Sequence, residues 1–98
     1  MLYSKEKIFS IEMGFTRKEF FTLLAQQNTL SYEMSGSIVT FLVANKPVRV
    51  CVGEDGERRI ASARLAMLKV SFDFTGIEKN DQEQFMKLFL IKFHKGGG

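Results

Sequence analysis

The sequence predicts an α+β domain in which a single curved antiparallel sheet carries two helices on one face. Three observations predict it. Helix-entry signals occur once near each end of the chain. The stretch between them alternates apolar and polar residues in short runs broken by turn-forming residues. A further alternating run precedes the first helix, so strands flank that helix on both sides. The expected order is β-α-β-β-β-β(-β)-α, with one domain over residues 1–95 and a flexible glycine tail at 96–98.

The first element is "KIFSIEM", where Phe9, Ile11 and Met13 fall on one side of a strand and Ile8, Ser10 and Glu12 on the other. Gly14 breaks it. In "FTRKEFFTLLAQQN", Thr16 and Glu19 have the spacing of a capping box, and Phe15 and Phe20 that of a hydrophobic staple. Phe20, Phe21, Leu23 and Leu24 then form an apolar helix face opposite Glu19, Thr22 and Gln26.

From Leu30 to Phe74 the pattern is strands and tight turns. "LSYEM" and "SIVTFLV" meet at Ser35-Gly36, and "FLVA" and "VRVCV" near Asn45-Lys46-Pro47. "VRVCV" and "RRIASA" are expected to pair across "GEDGE", where Gly56 supplies a positive φ. That register places Ile60 opposite either Val50 or Cys51. Residues 57–75 as one strand would span about 60 Å, too long for a domain of this size, so the chain is expected to bend or reverse around Arg64–Met67. "LKVSFDF" then directs Leu68, Val70, Phe72 and Phe74 inward and Lys69, Ser71 and Asp73 outward. Gly76 ends the sheet. Asn80 and Glu83 repeat the capping-box spacing and place Asn80 as the cap of "DQEQFMKLFLIKFHK", whose main stripe is Phe85, Met86, Phe89, Leu90 and Phe93.

Composition narrows the function classes. A chain of 98 residues with 45% hydrophobic and 26% charged residues suits one folded core, and ten phenylalanines with no tryptophan make that core Phe-based. The net charge of +3 falls short of the dense basic character of a dedicated nucleic-acid binder. One cysteine, Cys51, forms no intramolecular disulfide, which favours a reducing compartment. "MLYSKEKIFS" lacks the apolar run of a signal peptide, and no segment has the roughly 18 apolar residues of a membrane helix. The expected location is cytoplasmic, without membrane association.

The chemistry-bearing residues give no enzyme. Cys51 sits in a strand pattern where free cysteine acts as a small hydrophobe, and nothing brings it to His94, the single histidine. Glu54, Asp55 and Glu57 lack the spacing of a calcium loop and read as a hairpin tip. No metal or other cofactor is expected. Arg49, Arg58, Arg59, Arg64 and Lys69 gather on neighbouring strands and form a candidate partner surface on the uncovered sheet face. Their pairing with Glu12, Glu57 and Asp73 is the preferred reading. Leu88 and Ile91 fall off the Phe stripe, so the last helix is either deeply sunk in the domain, the first choice, or offers a contact surface. Gly96 after that helix reads as its cap, and Gly97 and Gly98 as a short tail.

The element order resembles one half of the TATA-binding protein, or a small helix-grip domain. In addition, "RRIASARLAMLKVSFDFTG" followed by "FMKLFLIKFHKGGG" is similar to a group of small uncharacterised bacterial proteins. These share an Arg-rich strand, an F-x-F-x-G strand end and a helix closing in F-x-x-G-G-G. Ala66 departs from the group's pattern, which has a proline there. The resemblance implies that the triple glycine is native, and implies no activity. The function expected is a non-catalytic binding or accessory module contacting another protein or a second copy of itself. Nucleic-acid binding by the open basic sheet face comes next, and a carrier or modifier using Gly96, Gly97 and Gly98 third.

Overall fold

A computed structural model describes residues 6–93. The elements are β1 (Ile8–Met13), α1 (Arg17–Gln26), β2 (Tyr32–Ser35), β3 (Ile38–Val43), β4 (Lys46–Ile60), β5 (Ala63–Asp73) and α2 (Lys79–Lys92). The five strands form one open antiparallel sheet in the order β1-β5-β4-β3-β2. The α+β class and the predicted order of elements are both found. The first and last strands of the chain are neighbours, and α1 carries the chain from one sheet edge to the other.

One face holds the core because register lines up the apolar phases of adjacent strands. Val39 pairs with Val50, Val50 with Phe72, and Phe72 with Phe9. Both helices lie on this face. The Phe89 ring meets Phe20 of α1 at 6.3 Å, Phe41 of β3 at 6.4 Å and Phe72 of β5 at 5.0 Å. Phe20 also stacks on Phe93 at 4.8 Å, and Phe85 packs edge-on to Phe41 at 5.2 Å. Aromatic pairs of this kind add about 0.5–1.5 kcal/mol each beyond the area they bury.

The entry to α1 is the one its sequence specifies. The Thr16 hydroxyl accepts from the Glu19 N–H at 3.1 Å, the Glu19 carboxylate accepts from the Thr16 N–H at 2.9 Å, and the Phe15 and Phe20 rings lie 6.2 Å apart. The second helix corrects its sequence reading. It begins at Lys79 after Glu78, which makes no side-chain cap hydrogen bond, so Asn80 lies inside the first turn. Burial of Ile77, whose N–H donates to the Phe74 carbonyl at 2.9 Å, turns the chain into the helix before Asn80 is reached. Gln82, the buried polar side chain of the core, accepts from Lys7 Nζ at 3.1 Å and donates to the Glu6 carbonyl at 2.9 Å. It thereby ties α2 to the segment leading into β1.

The hairpins are corrected in part. β2 and β3 close on Gly36-Ser37 with Gly36 at φ 60°, and β3 and β4 close on Ala44-Asn45 at φ 51° and 65°. "GEDGE" is not a turn. β4 runs through it to Ile60, and the chain reverses at Ala61-Ser62, with Ala61 at φ 53°, ahead of the bend or reversal expected around Arg64–Met67. Ile60 pairs with Ala63, and Cys51 with Ser71.

What the glycines of that segment accommodate is a β-bulge. Val52 pairs with Val70 but Asp55 with Leu68, so β4 carries one extra residue. A Cβ on Gly53 would lie 2.9 Å from the Lys69 carbonyl oxygen, so the close approach excludes a side chain. The Arg17 guanidinium donates to the carbonyls of Val52 and Gly53, both at 2.9 Å, and to the Ser37 hydroxyl at 3.2 Å. Its backbone N–H donates to Asp55 Oδ1 at 2.7 Å, which places a carboxylate at the α1 N-terminus where the helix dipole favours it. Beyond this clamp, β4 and β5 continue as a two-stranded ribbon exposed from Arg58 to Leu65.

These observations rank three substitutions by urea unfolding. Thr16→Ala should cost about 1 kcal/mol through loss of the cap. Gly53→Ala should cost about 2 kcal/mol, because the new methyl meets backbone that cannot turn away. Gly14→Ala, with nothing within 4 Å of the new Cβ, should be neutral or slightly stabilising.

Candidate binding surfaces

With the helices on one side, the other side of the sheet has no covering layer, and its residues are set by the outward phase of each strand. One row across it is Ser10, Ser71, Cys51, Ile38 and Ser35; the next is Ile8, Asp73, Arg49, Thr40 and Glu33. The Ser10 and Ser71 hydroxyls lie 2.8 Å apart. A shallow depression of about 210 Å³ opens between Ile8, Ile38, Arg49, Cys51 and Asp73. Ile8 and Ile38 at its rim are exposed, Ile8 to 64%, and Leu42 is exposed further along β3.

Charges on this face are opposed in register. Arg49 stands across from Asp73, and Lys69 across from Glu12. Glu12 also accepts from Arg58 at 3.0 Å. The Asp73 carboxyl is held below its ordinary value of 3.8 by the Thr75 side chain first, then by the Thr75 N–H at 2.9 Å, with the Arg49 charge adding and partial desolvation opposing.

The structure divides the candidate residues of the sequence into three places. Arg49 and Lys69 lie on the open sheet face. Arg58, Arg59 and Arg64 lie on the ribbon, with Arg58 on the side continuous with the open face. Arg59 and Arg64 are cross-strand partners on the opposite side, the side of Leu68 and the helices. Arg64 lies 3.9 Å from Glu57. The expected pairing of basic residues with Glu12, Glu57 and Asp73 is thus present in the geometry, but the five basic residues do not share one face. Leu88 and Ile91 are 39% and 67% exposed, so deep burial of both is corrected. The reason is that α2 turns Gln82, Phe85, Met86, Phe89 and Phe93 to the core, with Leu90 at its margin, which leaves Leu88 and Ile91 on the outer side. Leu88 borders a second depression of about 230 Å³ with Leu30, Leu42 and Phe85. Gly96, Gly97, Gly98 and His94 lie outside the described residues.

Sequence reasoning missed Ile38, Leu42 and Ile8 as surface residues, although the outward phase of Ile8 beside Ser10 and Glu12 carried the signal. It also missed Arg17, for which no local pattern exists.

Among the described residues, no group of three His, Cys, Asp or Glu side chains could hold a metal ion, and no helix is long and apolar enough to cross a membrane. Comparison with protein-family models, curated proteins and solved structures finds no match.

Asp73 titration checks the electrostatics of the open face. Its folded pKa is depressed, so its contribution to stability is complete above the unfolded value of about 3.9 and is lost as pH falls through the folded value. Carbon-detected NMR should find a midpoint below 3.8, and Thr75→Ala should raise it while the Thr75 amide and Arg49 keep part of the depression.

Proposed function

We propose that this protein is a non-catalytic binding module whose contact surface for another protein is the open face of the sheet. The observation that carries this reading is the composition of that face. Exposed Ile8 and Ile38 border a shallow depression, Leu42 is exposed further along β3, Arg49 is opposed by Asp73, and Lys69 and Arg58 share Glu12. A mosaic of apolar and internally neutralised polar groups suits a protein surface. It suits a phosphate backbone less, because a phosphate would have to displace Asp73 and Glu12. No described aromatic side chain is exposed as a stacking platform for bases, which also favours protein over single-stranded nucleic acid.

Size sets the expected strength. Five strands about 4.8 Å apart and about 20 Å long present roughly 500 Å². A standard interface covers about 800 Å² per partner. The contact expected is therefore a transient one, in keeping with an accessory role. Self-association through the same face is the form this reading takes if the partner is a second copy.

Cys51 provides the test, since it is the single cysteine and is exposed at the centre of the face. A photo-crosslinker on Cys51, activated in extract of the native host, should capture a discrete protein or a second copy. Ile38→Asp should abolish capture while circular dichroism stays unchanged. Capture of nothing, together with a monomer at millimolar concentration in sedimentation, would remove the proposal.

A further inference from the structure

The ribbon beyond the bulge has an open edge along β4. β3 ends opposite Cys51, and the Val52 N–H donates to the Ser37 carbonyl at 2.9 Å. Past that point no strand among the described residues lies beside β4 on that side, and every residue from Glu54 to Leu65 is exposed. The two-residue turn at Ala61-Ser62 makes Ile60 and Ala63 a hydrogen-bonded pair. Alternation along the ladder then directs the N–H and C=O groups of Glu57 and Arg59 away from β5, to the open edge. Such an edge accepts another strand unless proline, lysine or shortness guards it, and residues 54–60 contain neither proline nor lysine. What this edge carries is a charge sequence: Glu54, Asp55 and Glu57, then Arg58 and Arg59. Two copies laid antiparallel set the acidic half of each against the basic half of the other. Arg59 also stands directly opposite Arg64, an unfavourable arrangement of like charges, and Glu57 reaches Arg64 only at 3.9 Å.

We infer that β4 is a self-association edge, at which a second copy pairs β4 to β4 about a two-fold axis at Arg58, with Glu57 of each copy opposite Arg59 of the other. Charge selects this register. A slip of two residues either way keeps every side chain on its face but sets Glu57 against Glu57 or Arg59 against Arg59. The Glu57–Arg59 pairs are then the hydrogen-bonded ones, which matches the backbone groups that the edge presents. Each incoming Glu57 also meets the Arg59–Arg64 pair and relieves it. Arg58 keeps its own Glu12, at 3.0 Å on the other face. The partner copy's turn at Ala61-Ser62 falls opposite Glu54 and Asp55, just past the turn at which β3 begins, so β3 and the second copy occupy successive lengths of one edge. The β5 edge of the ribbon, Ala63 to Met67, has Arg64 as its one charge and offers a second copy no complement. This contact uses a strand edge and the proposed protein contact uses the open sheet face, so each stands or falls alone.

About five residues of each strand take part, which is far smaller than a standard interface of about 800 Å² per partner. The expected dimer is weak, with a Kd of about 0.1–1 mM at about 50 mM salt, rising severalfold at about 500 mM because the ion pairs are exposed. At about 10 µM the protein is then monomeric, with the edge amides of Glu57 and Arg59 open to solvent. Sedimentation equilibrium from about 10 µM to about 2 mM reads this directly. Glu57→Lys and Arg59→Glu should each remain monomeric throughout, with circular dichroism unchanged. An equimolar mixture of the two variants should dimerise again, because each supplies the charge that the other lacks; a folding defect would give no such recovery. In a Cys51→Ser background, Arg58→Cys should oxidise to a disulfide-linked dimer, since the pair on the axis is not hydrogen-bonded and its Cα atoms lie about 4.5 Å apart. Ile38→Asp, on the sheet face, should leave the dimer intact. A monomer at about 2 mM overturns the inference, including the case in which the edge takes a strand of a different protein. So does a dimer that keeps its Kd in Glu57→Lys, one that Ile38→Asp dissociates, or a mixture that stays monomeric.

Discussion

Phe89 makes ring contacts with α1, β3 and β5 at once, and the rest of the structure follows from the one-sided packing it anchors. The aromatic bulk of the described chain is turned toward a single sheet face, where both helices cover it. A chain of 98 residues has material for one such core and none for a second layer. The opposite face is therefore left to residues whose identity packing does not dictate. Its pattern of Ile8, Ile38 and Leu42 among opposed charges is free to serve contact rather than stability.

The bulge is the second determinant. Without the extra residue between Val52 and Asp55, the β4 phase would continue unshifted along the ribbon, and Asp55 would not face the α1 N-terminus. Arg17 fixes this irregularity by bonding both carbonyls of the bulge, so the first residue of α1 orients the ribbon root. Ribbon and body are coupled through that clamp, while the ribbon tip has no helix packed on it. Surface ion pairs such as Arg58 with Glu12 contribute at most about 1 kcal/mol and do not hold the tip down.

How much of this was legible in the sequence depended on whether the signal was local. Thr16, Glu19, Phe15 and Phe20 specify the start of α1 within six residues, and all four act as their spacing indicates. Alternation in "LKVSFDF" was likewise sufficient to assign inward and outward residues. "GEDGE" misled because glycine has two uses. A turn needs its positive φ, whereas Gly53 is needed for a close approach to Lys69, a contact 16 residues away in sequence that no local pattern reveals. The actual turn at Ala61 adopts φ 53° without glycine or asparagine, so turn chemistry gave no cue. Asn80 had cap spacing, but burial of Ile77 started α2 earlier. The basic residues were singled out as one group, yet their division between sheet and ribbon depends on the bulge and could not be read before it was known.

Residue-resolved native-state hydrogen exchange tests most directly whether a single one-sided core holds the protein while the ribbon stands outside it. Amides of Val50, Val70 and Phe72, paired on both sides beneath the helices, and of Val52, which donates to the Ser37 carbonyl at 2.9 Å, should exchange only through global unfolding. Amides of the ribbon from residue 57 to 66 should exchange through local opening at markedly lower free energy, despite their cross-strand hydrogen bonds. Protection that runs undiminished from Val52 to the ribbon tip in the isolated protein would contradict the account, because it would mean that the ribbon is already covered.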